Sequence, residues 1–170
     1  MRTRFVGGFY GQLVSGLLWL TSATLATWST PRAAILTALL GGFFIFPLTE
    51  LFVRLGGAKP LSQLSDLRTL GPQVALVMPL CMPLLIPVTQ YRLNLFFPAV
   101  MILLGAHYLP FVFLYGMRMF WALAAMILGA GTFLLYRGTT FSGGAWYTGA
   151  VLLVFAVAGK VIVGREGRAA

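Results

Sequence analysis

The sequence predicts an all-α fold, a polytopic transmembrane helical bundle of six spans with both termini cytoplasmic. Three observations predict it. First, 59% of the 170 residues are hydrophobic and only 9% are charged, with a mean hydropathy of +0.92. That is more apolar surface than a water-soluble domain of this length can bury. Second, the apolar residues fall into six runs, each near the roughly 20 residues that cross about 30 Å of hydrocarbon. Third, the basic residues gather on one side of the resulting alternation. Six spans consume most of the chain, so residues 1–170 read as a single transmembrane domain.

The first run, residues 5–28, follows Met-Arg-Thr-Arg. It is long for the apolar region of a signal peptide, and SATLA at 22–26 is a poor cleavage site, so this run is expected to remain as the first helix. Within it, GGFYGQLVSG repeats small residues every four positions, at Gly7, Gly11 and Ser15. Such a stripe lets helices approach closely, inside the bundle or between two copies of the chain, and Gln12 lies beside it. Trp19 falls deep in the span and is expected to pack against another helix.

The break STPR at 29–32 leads into the second run, 33–55. In FPLTELFVR, Glu50 is an acid within a span and stands one turn before Arg54, the order that favours a helical ion pair. An intramembrane carboxylate marks a functional position. Pairing with Arg54 and snorkelling to the interface is the competing account. The longest break, GGAKPLSQLSDLRT at 56–69, reads as an interfacial turn or short helix open to soluble-side contacts.

The third run, 70–91, contains LVMPLCMPLLIPV, with Pro79, Pro83 and Pro87 at four-residue intervals and Pro72 near its start. Each proline removes an N–H, which leaves the carbonyls of Ala75, Pro79 and Pro83 without intrahelical donors. Two readings follow: a kinked structural helix satisfied by its neighbours, or a helix that lines a cavity.

After YRLN at 91–94, the fourth run, 94–115, holds His107, the one histidine of the chain. Counting from the inner helix ends puts His107 only about 5 Å deeper than Glu50 at 1.5 Å per residue. Gln12 is at comparable depth, and Tyr10, Tyr108 and Tyr115 could add hydroxyls to a polar cluster on the cytoplasmic side. A histidine beside a carboxylate can relay protons. A neutral histidine bonded to a hydroxyl or a backbone carbonyl explains it as simply.

YGMR at 115–118 and RGTTFSGG at 137–144 bound the last two runs, 118–136 and 143–163. In this alternation Arg2, Arg4, Arg54, Lys59, Arg68, Arg118, Lys160, Arg165 and Arg168 share one side, while Arg32, Arg92 and Arg137 share the other. The basic side is the cytoplasmic one. Trp28, Trp146 and Tyr147 then fall at the outer interface and Trp121 near the inner one, where indoles are favoured.

Several functions are excluded or disfavoured. The net charge of +9 is spread singly between apolar runs, so no nucleic-acid surface is expected. Cys81 has no partner cysteine, and one histidine with no paired acids predicts no metal site. No cofactor fingerprint occurs, nor any H-E-x-x-H, G-x-S-x-G or Walker-type motif, so an intramembrane enzyme using His107 and Glu50 ranks last.

The architecture and the segment FFPAVMILLGAHYLPFVFLYG, residues 96–116, resemble the small six-helix inner-membrane proteins of bacteria grouped as uncharacterised families. The resemblance implies an inner (plasma) membrane location and assigns no functional residues. The expectation is a small transporter, channel-like or ligand-binding bundle, with the bilayer, a small molecule and a second copy of the chain as its partners. Gln12, Glu50, His107, Tyr108 and Tyr115 would supply polar contacts, and Pro79, Pro83 and Pro87 would open the third helix. A small organic or weakly basic ligand would suit an aromatic cavity with one carboxylate. The alternative is a structural or regulatory subunit that acts through Gly7, Gly11 and Ser15.

Overall fold

The computed structural model describes residues 5–56 and 70–169, and every regular element among them is helical. We label the helices α1 (Phe9–Trp28), α2 (Pro31–Leu55), α3 (Leu70–Cys81), α4 (Leu85–Tyr91), α5 (Phe96–Tyr115), α6 (Met119–Arg137) and α7 (Gly143–Ala169). A 3-10 turn at Met82–Leu84 joins α3 to α4. The prolines therefore tighten the third rod without ending it, and six rods remain near the expected boundaries. The 56–69 linker, beyond Gly56 itself, lies outside the described residues, as do Arg2, Arg4, Lys59 and Arg68.

Local chemistry explains where the rods begin and stop. Pro31 occupies the first turn of α2, where its missing N–H costs nothing, and the Thr30 hydroxyl accepts a hydrogen bond from the Ala33 N–H at 3.1 Å. Before α1, Gly7 and Gly8 take φ of 63° and 85°, a left-handed course that glycine adopts freely. Gly7 is consequently not a residue of α1 and does not share a helical face with Gly11 and Ser15.

Among the described residues, five stretches are long and apolar enough to cross a membrane: Pro31–Leu55, Gln73–Tyr91, Leu93–Tyr115, Met119–Arg137 and Gly143–Glu166. Helix α1 has 20 residues, enough for the same task, but carries more polar side chains. It manages them by returning the hydroxyls of Thr21, Thr24 and Thr27 to the carbonyls of Leu17, Leu20 and Ala23, at 2.8–2.9 Å. It is also sheltered, packing against both α2 and α7.

Glycines set the closest approaches. A Cβ on Gly149 of α7 would lie 2.6 Å from the Leu20 side chain of α1, and one on Gly16 of α1 would lie 2.9 Å from Leu153 of α7. Between α5 and α6 the corresponding residues are Gly105 and Gly131. The core is built around Phe96, Phe97, Met101, Phe120, Leu123 and Ile127, all essentially inaccessible. Trp19 is buried against Phe97 with ring centroids 5.8 Å apart. Where α1 ends and α7 begins, Trp28 and Trp146 meet edge-on, and the Trp146 Nε1–H donates to Thr27 Oγ1 at 3.1 Å.

Helices α2, α3 and α4 stand apart from this tight frame. Helix α2 leans mainly on α1, while α3 touches α5 and α2 lightly and to a similar extent. Much of the apolar surface of α2 and α3 faces outward, including Leu40, Phe44, Leu51 and Leu80.

Candidate functional site

Because α2 and α3 pack loosely, the bundle keeps a partly open cavity of about 410 Å³ between them and the frame. That volume is in the range of small-molecule pockets. Helix α1 contributes Gly11, Gln12, Ser15, Leu18, Trp19 and Ser22 to the wall. Opposite stand Thr49, Phe46 and Phe43 of α2, Ala75, Leu76 and Pro79 of α3, and Leu104, His107, Tyr108 and Phe111 of α5. Tyr115 and Phe120 close one end as stacked rings 5.2 Å apart.

Polarity in this wall is sparse and underused. Gln12 is 1% exposed, and neither Nε2 nor Oε1 of its amide has a hydrogen-bond partner among the described residues. The Ser22 hydroxyl and Nδ1 of His107 are likewise buried without partners. Natural interiors leave few such groups unsatisfied, since each costs about 1–3 kcal/mol. Thr49 returns its hydroxyl to the Ile45 carbonyl at 2.7 Å. The unmet capacity therefore concentrates at Gln12, Ser22 and His107.

The residues singled out from the sequence divide into those that meet here and those that do not. Gln12, His107, Tyr108, Tyr115 and Pro79 all line the cavity, together with Gly11 and Ser15. Gly7 instead abuts α7, where an added Cβ would lie 2.8 Å from the Gly159 carbonyl oxygen. Pro83 and Pro87 are exposed and are not wall residues. The 3-10 turn advances about 120° per residue where an α-helix advances about 100°, which carries them off the face of Pro79.

Glu50 is not a wall residue either. Its Oε1 accepts from Arg54 Nε at 3.1 Å, the ion pair one turn away that the sequence allows. His107 is surrounded by rings, with Tyr108 at 6.0 Å and Phe111 at 5.2 Å between centroids. Among the described residues no hydrogen bond or ion pair joins His107 to Glu50. Tyr10 also leaves the expected cluster, stacking on Phe52 at 6.4 Å. The Glu50 side chain is mostly buried while Arg54 is exposed, so Glu50→Gln is expected to lower stability by about 1 kcal/mol and to leave any ligand response unchanged. Thermal unfolding with and without ligand checks both.

The sequence also carried signals that were not joined. Gln12, Ser15 and Trp19, each singled out separately, recur with Ser22 at intervals of three, four and three, one face of a helix marked by polar and aromatic side chains. Pro47 was open to the argument applied to Pro79. It lies inside α2 and lines the cavity, and its missing N–H frees the carbonyl of Phe43, just as Pro79 frees that of Ala75. Both freed carbonyls belong to wall residues.

A family model described as "Family of unknown function (DUF7010)" matches residues 1–162, and the chain belongs to that family. No curated protein and no solved structure matches the chain.

Proposed function

We propose, starting from membership of this family, that the chain is an integral membrane protein whose helices enclose a binding site for a small molecule, in the manner of a small transporter or channel-like carrier. One observation carries the reading. Gln12 is wholly buried, neither amide atom has a partner among the described residues, and it sits in the wall of a cavity large enough for a ligand. A bundle that served packing alone would be more stable with an apolar side chain there. A bound molecule that hydrogen-bonds the amide removes the penalty.

Membrane residence is supported by the five long apolar stretches and by the threonine back-bonding that lets α1 join them. In the proposed topology all six rods cross and both termini are cytoplasmic, because nine basic residues then share that side against three. The inner membrane of a bacterium is the location proposed. Reporter fusions check the orientation: a fluorescent protein should fold and glow at either end, and alkaline phosphatase should be inactive at both. Activity of the phosphatase at either terminus overturns the six-span arrangement.

The binding reading is tested by a thermal-shift screen of small organic molecules on purified protein, repeated with Gln12→Leu and His107→Ala. Stabilising ligands whose effect is lost in Gln12→Leu are the expected result. Ligand responses indifferent to both substitutions would sink the reading.

A further inference from the structure

Among the described residues the wall of the cavity contains no aspartate, glutamate, lysine or arginine, its polar side chains being the Gln12 amide, His107, the Trp19 indole and the hydroxyls of serine, threonine and tyrosine. An ion placed there would lose its hydration without gaining a counter-ion, a cost of several kcal/mol or more. The expectation of a weakly basic ligand depends on a carboxylate in the site, and Glu50 is engaged with Arg54 instead. The Gln12 amide, in contrast, presents an unpartnered donor and an unpartnered acceptor on the same planar group. Its best complement is another neutral group that carries an acceptor and a donor side by side.

The opening of the cavity indicates how such a molecule arrives. Phe43 and Pro47 of α2 and Leu76 of α3 line the cavity and are also exposed. They flank the slight contact between these two helices. Phe43 is about 18 Å along a helix of about 37 Å, at 1.5 Å per residue. The gap is thus at mid-length of the rod, at the depth of the hydrocarbon and far from either end. Pro47, inside α2, and Pro79, inside α3, stand on its two sides. Prolines within helices weaken the backbone ladder where they occur and allow bending there.

Resting on the binding reading above, we infer that the ligand is an uncharged, membrane-soluble molecule with an amide-like donor and acceptor pair, bound by Gln12, and that it enters from the bilayer between α2 and α3.

Trp19 makes the test direct, since it lines the cavity while the other tryptophans do not. A protein with Trp28, Trp121 and Trp146 replaced by phenylalanine is reconstituted in phosphatidylcholine nanodiscs. Heavy-atom quenching of Trp19 is then followed with three probes of one shape: 4-bromobenzamide, 4-bromobenzoate and 4-bromobenzylammonium. Saturable quenching by the amide alone is expected, with at least a tenfold loss of affinity in Gln12→Leu. Saturable, Gln12-dependent quenching by a charged probe overturns the neutral class and leaves the binding reading standing. No saturable quenching by any probe overturns both. For the route, Phe43→Cys and Leu76→Cys are combined with Cys81→Ala and joined by a bismaleimide. The onset of quenching should slow at least tenfold in the linked protein relative to the same double variant before linking. An unchanged rate in the linked protein overturns entry through this gap.

Discussion

Gln12→Leu is expected to make the empty bundle more stable by about 1–3 kcal/mol, and in the same stroke to abolish the stabilisation that ligand provides. The gain comes from removing an amide that is buried with both ends unpartnered. It should appear as a rise in Tm of about 2–4 °C per kcal/mol for a chain of this size. The loss follows because that amide is the richest source of unmet hydrogen bonds in the cavity wall. Thr148 provides the control. Its hydroxyl is also buried without a partner, but it is not a wall residue. Thr148→Val should therefore raise Tm by a similar mechanism and leave ligand responses intact. A Gln12→Leu protein less stable than the parent would mean that the amide is satisfied within the fold, and the argument for an occupant would fall with it.

The largest structural effect is expected where α5 crosses α6. A Cβ on Gly105 would sit 2.6 Å from Leu128 Cβ, 2.7 Å from its nitrogen and 2.9 Å from its Cα. None of these is the free end of a flexible side chain, so the helices themselves must separate. Gly131 is similarly placed, 2.8 Å from Met101 Cβ and 2.9 Å from the Pro98 carbonyl oxygen. Gly105→Ala or Gly131→Ala should each cost at least the about 1–3 kcal/mol of overpacking, and Gly105→Val should prevent isolation of a folded, monodisperse protein. Gly129 lies on the same helix as Gly131, yet a Cβ added there would meet nothing within 4 Å. Gly129→Ala should be neutral or gain up to about 1 kcal/mol from helix propensity. Thermal unfolding in detergent compares the three alanine variants. Equal effects at Gly129 and Gly131 would show that propensity, not close approach, governs these positions.

These expectations separate what is local from what is not. The six rods were readable because hydropathy, length and turn residues act over short stretches: the helix around His107 ends at Tyr115, while α2 begins at Pro31, inside the STPR break and two residues before the expected run. The pairing of Glu50 with Arg54 was readable for the same reason, since residues four apart on a helix are always neighbours. Trp19 was correctly assigned to helix packing, and Phe97 turned out to be its partner. The stripe of Gly7, Gly11 and Ser15 was drawn with one helical period through a turn where the backbone is left-handed, so it splits between the α7 contact and the cavity.

Apolar rods of membrane-spanning length, with few charges between them, are dictated by the amino-acid sequence without reference to packing, because those properties belong to each segment alone. Which polar residues share a space is a matter of tertiary packing. Gln12 and His107 come together while Glu50 stays outside because the rotation of each rod about its axis is set by its neighbours. The tight α1–α7 and α5–α6 seams, made by glycines, fix those rotations and leave α2 and α3 to enclose the cavity.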